Sequence, residues 1–415
     1  MTYTLPKLAL DWTTGVDQLG IDVVRSGVAT FVGSDGLIQS APENTQRVDW
    51  STGIAGLLVE ESRTNTFQYS EDFSNAWWLK LGMLAFGSGS VANAVVSPDG
   101  TQNADLLIED TSTGAHQVNT NLAFNFILGV TYCQSYFVRP QEINGRTKFT
   151  ITFRSNWFGV NSASFDLVAK TATVTSGTGA CGIEQYKDGW FRVWASATAT
   201  ATGTSPTDTF FSFANDAGAT NYTGDGVSGA YIWGAQLEVG LFPTSYIPNL
   251  AKGTTTRNAD VATITGANFS NWWDASKGGV LVRARPATVI GVRPWVQFDD
   301  GTANEIIALR VNATNPELYI VDGGTPQAQI DAGTIAANTD YSLTGWWATN
   351  DCKARLNSGA VVTDTSATIP TVTQARLGSD GANYLNGHLA SISYYDSFSA
   401  QIYTRRKNKA VFNLM

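Results

Sequence analysis

The stretch from Gly229 to Pro248, GAYIWGAQLEVGLFPTSYIP, constrains this chain more than any other. Its first half has the two-residue period of a buried strand, with Tyr231, Trp233, Ala235 and Leu237 expected on one face. Gly226 and Gly229 bracket it in front and Gly240 behind. Pro243 and Pro248 cannot continue a central strand, so a Pro-locked exit should follow. A long apolar strand with such an exit reads as the closing strand of a β-sandwich, with one domain before it and another after.

The rest of the chain agrees with an all-β reading. Charged residues make up 15%, well below the usual quarter, while glycine reaches 40 and Thr and aromatics are plentiful. At 415 residues the chain is too long for one core. The expected class is all-β, with two β-sandwich (jelly-roll) domains at 66–250 and 251–415, preceded by a short N-terminal attachment region at 1–65. Expected strands in the first sandwich are 104–108, 132–139, 148–153, 163–166, 190–195, 210–214 and 230–237. In the second they are 278–285, 294–299, 305–311, 317–321, 340–348, 353–356 and 390–396. Leu343 and Trp347 should share a face and Trp346 should point the other way. Residues 1–65 hold only short pieces such as Leu8-Leu10-Trp12 and Phe31-Val32, then GLLVEESRTN from Gly56 to Asn65. This region should pack on the next domain, a neighbouring subunit or a larger particle. Lys252-Gly253-Thr254-Thr255-Thr256 reads as a polar linker.

A net charge of −9 argues against nucleic-acid or anionic-membrane partners, whose phosphates are held by Lys and Arg. The local exception, Arg405-Arg406-Lys407-Asn408-Lys409, reads as the solvated face of a terminal helix or tail. The opening MTYTLPKLALDW has no secretory pattern, and no apolar run approaches the roughly 20 residues that cross a bilayer, so no membrane insertion is expected. Cys133, Cys181 and Cys352 are too few and too scattered for a disulfide framework or a zinc site; a meeting of Cys133 and Cys181 inside one sandwich is the alternative to buried free thiols of a protein made in a reducing cytoplasm, which is the reading taken.

Parts for catalysis are scarce. His116 and His388 have no zinc-site spacing, and there is no G-x-S-x-G elbow. Gly224 to Gly229 matches G-x-G-x-x-G but precedes a strand, whereas the dinucleotide fingerprint follows one and opens a helix. Glu60 and Glu61 would point to opposite faces of a strand. Asp299, Asp300 and Glu305 form the best acidic cluster for a catalytic pair or a calcium ion, with surface turn acids as the plainer reading. No cofactor and no metal site are expected, and the chain does not read as an enzyme.

Sugar binding needs less: an aromatic face for the pyranose and polar groups for its hydroxyls. Among 13 tryptophans and 14 tyrosines most must be core, and Trp190, Trp194 and Trp233 are assigned to packing. The candidate sugar contacts are Trp157 and Phe158, which follow Arg154-Ser155-Asn156, then Trp295, Trp347 and Tyr384.

Three motifs carry a resemblance. GLLVEESRTN followed by Tyr69-Ser70-Glu71-Asp72-Phe73-Ser74-Asn75, then Gly189-Trp190-Phe191-Arg192-Val193, then Trp233-Gly234-Ala235-Gln236-Leu237-Glu238 with Pro243-Thr244-Ser245-Tyr246-Ile247-Pro248, resemble a domain of tail-fibre and head-spike proteins of tailed bacteriophages and gene transfer agents. That domain is similar to jelly-roll carbohydrate-binding modules. Ala267 to Trp273 and Leu385 to Tyr395 resemble the first and last strands of laminin-G or concanavalin A-like sandwiches. The resemblance implies a virion surface protein, fibre or spike, that binds a host capsular or surface polysaccharide and meets other virion proteins through its N-terminal region. Such a chain would be made in the host cytoplasm without a signal peptide and reach the exterior on a particle. Linked weak sites gain avidity, so a homo-oligomer is expected, a trimer among the symmetries. The alternatives are a structural spacer or decoration protein without its own glycan site, and a glycan-cleaving enzyme.

Overall fold

The computed structural model describes residues 5–120, 124–205 and 209–396. They form two compact units: one made of Asp35–Ser40 and Arg63–Arg257, the other of 5–34, 41–62 and 258–396. The first is thus inserted into the sequence of the second. Its entering segment Arg63–Asn65 pairs antiparallel with its leaving segment Thr255–Arg257. The expected linker is therefore ordered structure, further fixed by Asn249, whose Nδ2 donates to the Gly253 carbonyl at 3.0 Å and whose Oδ1 accepts from Thr255 Oγ1 at 3.0 Å. The basic stretch at 405–409 lies outside the described residues.

The inserted unit is a sandwich of two six-stranded antiparallel sheets. One runs Cys181–Gln185, Phe191–Thr198, Thr131–Pro140, Gly229–Val239, Ala104–Ile108, Val91–Val95. The other runs Thr171–Ser176, Asn161–Asp166, Lys148–Phe153, Thr209–Ala214, Gln117–Thr120, Trp78–Leu81. Alternation in KFTITF sends Phe149, Ile151 and Phe153 inward, where they meet Phe211, Phe213, Val138, Val193 and Ile232. Burying each such side chain stabilises the fold by about 1.5–3 kcal/mol. The Trp77–Trp78 pair is also core, its rings 4.5 Å apart edge to face.

The strand Gly229–Val239 is central rather than closing, and its period breaks. Ala230, Ile232, Ala235 and Leu237 line the main core, whereas Tyr231 and Trp233 face a smaller cluster with Phe137, Trp190 and Tyr246. The switch occurs at Gly234, which has φ +63°, opposite a register shift between Ser135 and Phe137. A bulge inserts one residue, so every later side chain changes face. The expectation of one shared face is corrected accordingly.

The polar residues of the motifs that carry the resemblance turn out to be clamps. Gln236 Oε1 accepts the Ile247 amide at 2.7 Å, and Glu238 accepts both the amide and the hydroxyl of Thr244 at 2.8 Å. Arg192, fully buried, donates to the Thr244 carbonyl at 2.7 Å. Asn65 donates to the carbonyls of Ala235 and Ile247 and accepts the amides of Leu237 and Phe67. Together they hold the Pro-containing exit, whose own backbone cannot join the ladder.

The second unit is also a sandwich, of an eight-stranded and a seven-stranded sheet around one core that includes Trp12, Leu57, Val282, Trp295, Ile307, Leu343 and Trp347. Leu343 and Trp347 share that core and Trp346 lies outside it, as the period requires. The N-terminal segment, expected as a separate attachment region that packs on the next domain, a neighbouring subunit or a particle, supplies strands to this C-terminal sandwich. Gly56–Val59 and Leu8–Asp11 both pair with Gly387–Tyr395. A buried ion network fixes the segment: Asp260 receives Arg25 at 2.8 Å and also Arg47, and Arg47 reaches Glu60 at 2.8 Å. Burial works against charge on Arg47, yet Asp260 and Glu60 hold its pKa well above the ordinary value.

Candidate functional site

Strand register sets what the outer face of the Lys148–Phe153 sheet displays. The cross-strand partners form three rows: Ala214, Lys148, Asp166, Thr171; then Gln117, Ser212, Thr150, Ser164, Thr173; then Asn119, Phe210, Thr152, Ser162, Ser176. Hydroxyls and amides dominate, because Ser and Thr alternate with the inward apolar residues on each strand. Lys148, Thr150, Thr152, Ser162, Ser164, Asp166, Thr171 and Thr175, with Gly218 and Thr220 at the lip, enclose an open groove of about 440 Å³.

The groove mixes these polar groups with apolar surface from Phe149, Phe165 and Ala214 and is nearly neutral. Lys148 Nζ lies 3.6 Å from Asp166 and donates to the Asp216 carbonyl at 2.8 Å. The Ala169 amide, joined by that of Val168 and by Lys148, holds the Asp166 carboxyl below its usual range despite partial burial. Thr152 and Ser162 share a hydrogen bond of 2.5 Å across the floor. Such a surface offers many paired donors and acceptors at strand spacing. Hydroxyls so placed are groups with which a polyhydroxylated chain can exchange hydrogen bonds.

The residues expected to touch sugar are not gathered there. Phe158 is buried among Phe126, at 4.7 Å, and Phe153, at 4.9 Å. Trp295 and Trp347 are 0% exposed in the core of the other unit, where Trp347 packs on Phe298 at 5.6 Å. A ring with no free face cannot stack on a pyranose, so these three are corrected to packing residues. Trp157 is half-buried against Gly203, whose position leaves no room for a Cβ beside the indole. Tyr384 is half-buried, and its carbonyl accepts from Arg293 at 3.1 Å. Trp190 and Trp233 are buried as assigned, while Trp194 stays half exposed over Gly182.

The acidic candidates are occupied separately. Asp299 is buried and accepts from Gln297 and Arg376 at 2.9 Å, Gly301 at 2.8 Å and Gln374 at 2.5 Å. Asp300 caps the Thr302 turn, and Glu305 accepts the Gly323 amide at 3.0 Å. The cluster thus fails as a calcium site, and no group of three or more His, Cys, Asp or Glu among the described residues is placed to hold a metal. All three cysteines are free.

Two constellations outside the groove have catalytic-looking parts. Ser51, His388 and Asp49 converge, with His388 Nε2 2.9 Å from Asp49 and 3.5 Å from Ser51 Oγ. One nitrogen faces both partners, so the imidazole has no second nitrogen on the acid to relay orientation, and a Ser-His-Asp triad does not form. Burial raises the Glu71 pKa to about 7, reinforced by Asp99 and opposed by a hydrogen bond from Tyr246. Burial likewise raises Asp105 to about 6 against the amides of Asn93 and Phe73. Both carboxyls are bound within the fold: Glu71 accepts from Asn103 at 2.8 Å and Tyr246 at 3.0 Å, and Asp105 from Phe73 at 2.7 Å. They are anchors of the 70–75 segment.

Neither a scan of family models nor a search of curated proteins finds a match. Among solved structures, the mouse laminin α1 chain domains LG4-5 align at 10% identity and a TM-score of 0.23, over 69% of this chain and 90% of that one. A Trypanosoma rangeli sialidase in complex with the inhibitor DANA aligns at 9% identity and a TM-score of 0.25, over 71% of this chain and 59% of that one. Both are distant likenesses between β-rich chains.

Proposed function

We propose that this protein is a non-enzymatic surface protein, fibre or spike, of a phage-like particle, and that it holds a host polysaccharide in the groove on the Lys148–Phe153 sheet. The observation that carries the reading is that groove: a hydroxyl-rich open channel of about 440 Å³ across several strands. A linear polysaccharide presents repeating hydroxyls and fits an open channel better than a closed pocket. Non-enzymatic action is supported by the state of the acids, since each carboxylate discussed above is bound by an internal partner. The particle context rests on the three motifs. Attachment to other particle proteins is supported by the N-terminal segment, where Leu5, Val16, Leu19, Val24 and Val28 are exposed and Leu19 reaches 94%. Repetition of the chain in a homo-oligomer would give weak single grooves useful avidity.

The test is a glycan array of capsular and surface polysaccharides with the purified chain, alongside an assay for new reducing ends. Binding without release of ends is expected. Absence of binding to every glycan, or steady release of ends, would overturn the reading.

A further inference from the structure

The groove has one end unlike the other. At the Lys148 end, positive charge is met by Asp166, the single carboxylate in the three rows. Six residues on, about 20 Å along an extended strand, stands Arg154. It is exposed, and its guanidinium lies 4.8 Å over the Phe210 ring. Phe210 is the cross-strand neighbour of the groove residue Thr152. The row it belongs to, Asn119, Phe210, Thr152 and Ser162, contains no charge, and no carboxylate among the described residues pairs with Arg154.

We infer that this end of the groove is a subsite for a carboxylated sugar residue, with Arg154 receiving the carboxylate and the groove residues Thr152 and Ser162 the ring hydroxyls. The inference rests on the groove reading and names its ligand class: an acidic polysaccharide. The aromatic face beneath Arg154 restrains a long side chain that would otherwise lose rotamer entropy on binding, so the cation is presented ready. A planar guanidinium takes a carboxylate with two parallel hydrogen bonds. A chain of net charge −9 repels polyanions at long range, so selection of an acidic glycan requires a local unpaired cation at the site, and Arg154 supplies it.

The experiment prints acidic bacterial polysaccharides beside their carboxyl-reduced forms and compares wild type with Arg154→Gln, Arg154→Lys and the floor variant Thr150→Val. Wild type should prefer the acidic forms. Arg154→Gln should lose about tenfold or more on acidic forms and severalfold less on reduced ones, where the guanidinium meets an uncharged hydroxyl. Arg154→Lys should keep part of the preference, and Thr150→Val should weaken both. Unchanged melting of Arg154→Gln confirms that its fold is kept. Equal binding of acidic and reduced forms, or equal losses on both in Arg154→Gln, overturns the subsite and leaves the groove standing. No binding to either form overturns the groove and the subsite together.

Discussion

Lys148 and Asp166 face each other on neighbouring strands with their charged ends 3.6 Å apart, and this pair closes one end of the groove. Both side chains are about a third exposed, so solvent screens the pair and its net stabilisation is small, about 0–1 kcal/mol. Asp166→Asn should therefore barely move the unfolding midpoint, while it changes glycan affinity by removing the one negative charge from the rows. Denaturant titration together with calorimetric glycan binding checks both halves.

Asn65 should behave in the opposite way. It is 0% exposed and makes four hydrogen bonds to Ala235, Leu237, Ile247 and Phe67. Asn65→Ala leaves buried backbone groups unpaired and should destabilise the inserted unit by about 2–4 kcal/mol. Chemical unfolding measures it.

The network at Asp260 gives a stronger effect. Asp260→Ala strands the buried guanidiniums of Arg25 and Arg47 without their shared carboxylate. Loss of one partner of a buried ion pair typically costs about 3–5 kcal/mol. A loss below about 1 kcal/mol in the same unfolding experiment would show that water reaches the cluster.

Stability of the inserted unit should fall as pH rises through neutrality. Glu71 at about 7 and Asp105 at about 6 both titrate above their ordinary values of 4.5 and 3.8. A carboxyl raised in the folded state favours folding fully below its unfolded pKa, and that contribution is lost as pH climbs through the folded pKa. The window is therefore roughly pH 4 to 8, with each group contributing on the order of 2 kcal/mol. Glu71→Gln should flatten the dependence and leave the pH 5 stability nearly unchanged. Unfolding curves at pH 5 and pH 8 decide it.

The strands were legible in the sequence because Thr, Phe, Ile and Val alternate at the two-residue period, as in KFTITF. The bulge was not. Gly234 looks like an ordinary glycine in GAYIWGAQLEV, and only the register opposite Ser135 and Phe137 shows that the faces exchange there. The division into units was also hidden, since Leu57 pairs with Leu389 more than three hundred residues away. The groove left a weaker trace. Its strand hydroxyls, Thr150, Thr152, Ser162, Ser164, Thr171 and Thr175, lie on three strands that sequence alone cannot align, and Arg154 stood out only as a flank of Trp157. Large aromatics drew attention first, yet three of the five proposed rings are what hold the cores together.

Gly234→Ala tests the bulge itself. A Cβ there would lie 2.7 Å from the Phe137 ring, on a backbone with φ +63°. The substitution should destabilise the inserted unit by about 1–3 kcal/mol. An unchanged melting temperature would mean that the strand can shift register.

The most direct test of the account locates the bound glycan by amide hydrogen exchange, using a polysaccharide identified on the array. Added protection should concentrate in 148–154, 161–176 and 209–214, with no new reducing ends. Protection confined to other strands, or none at saturating glycan, would contradict the groove as the site.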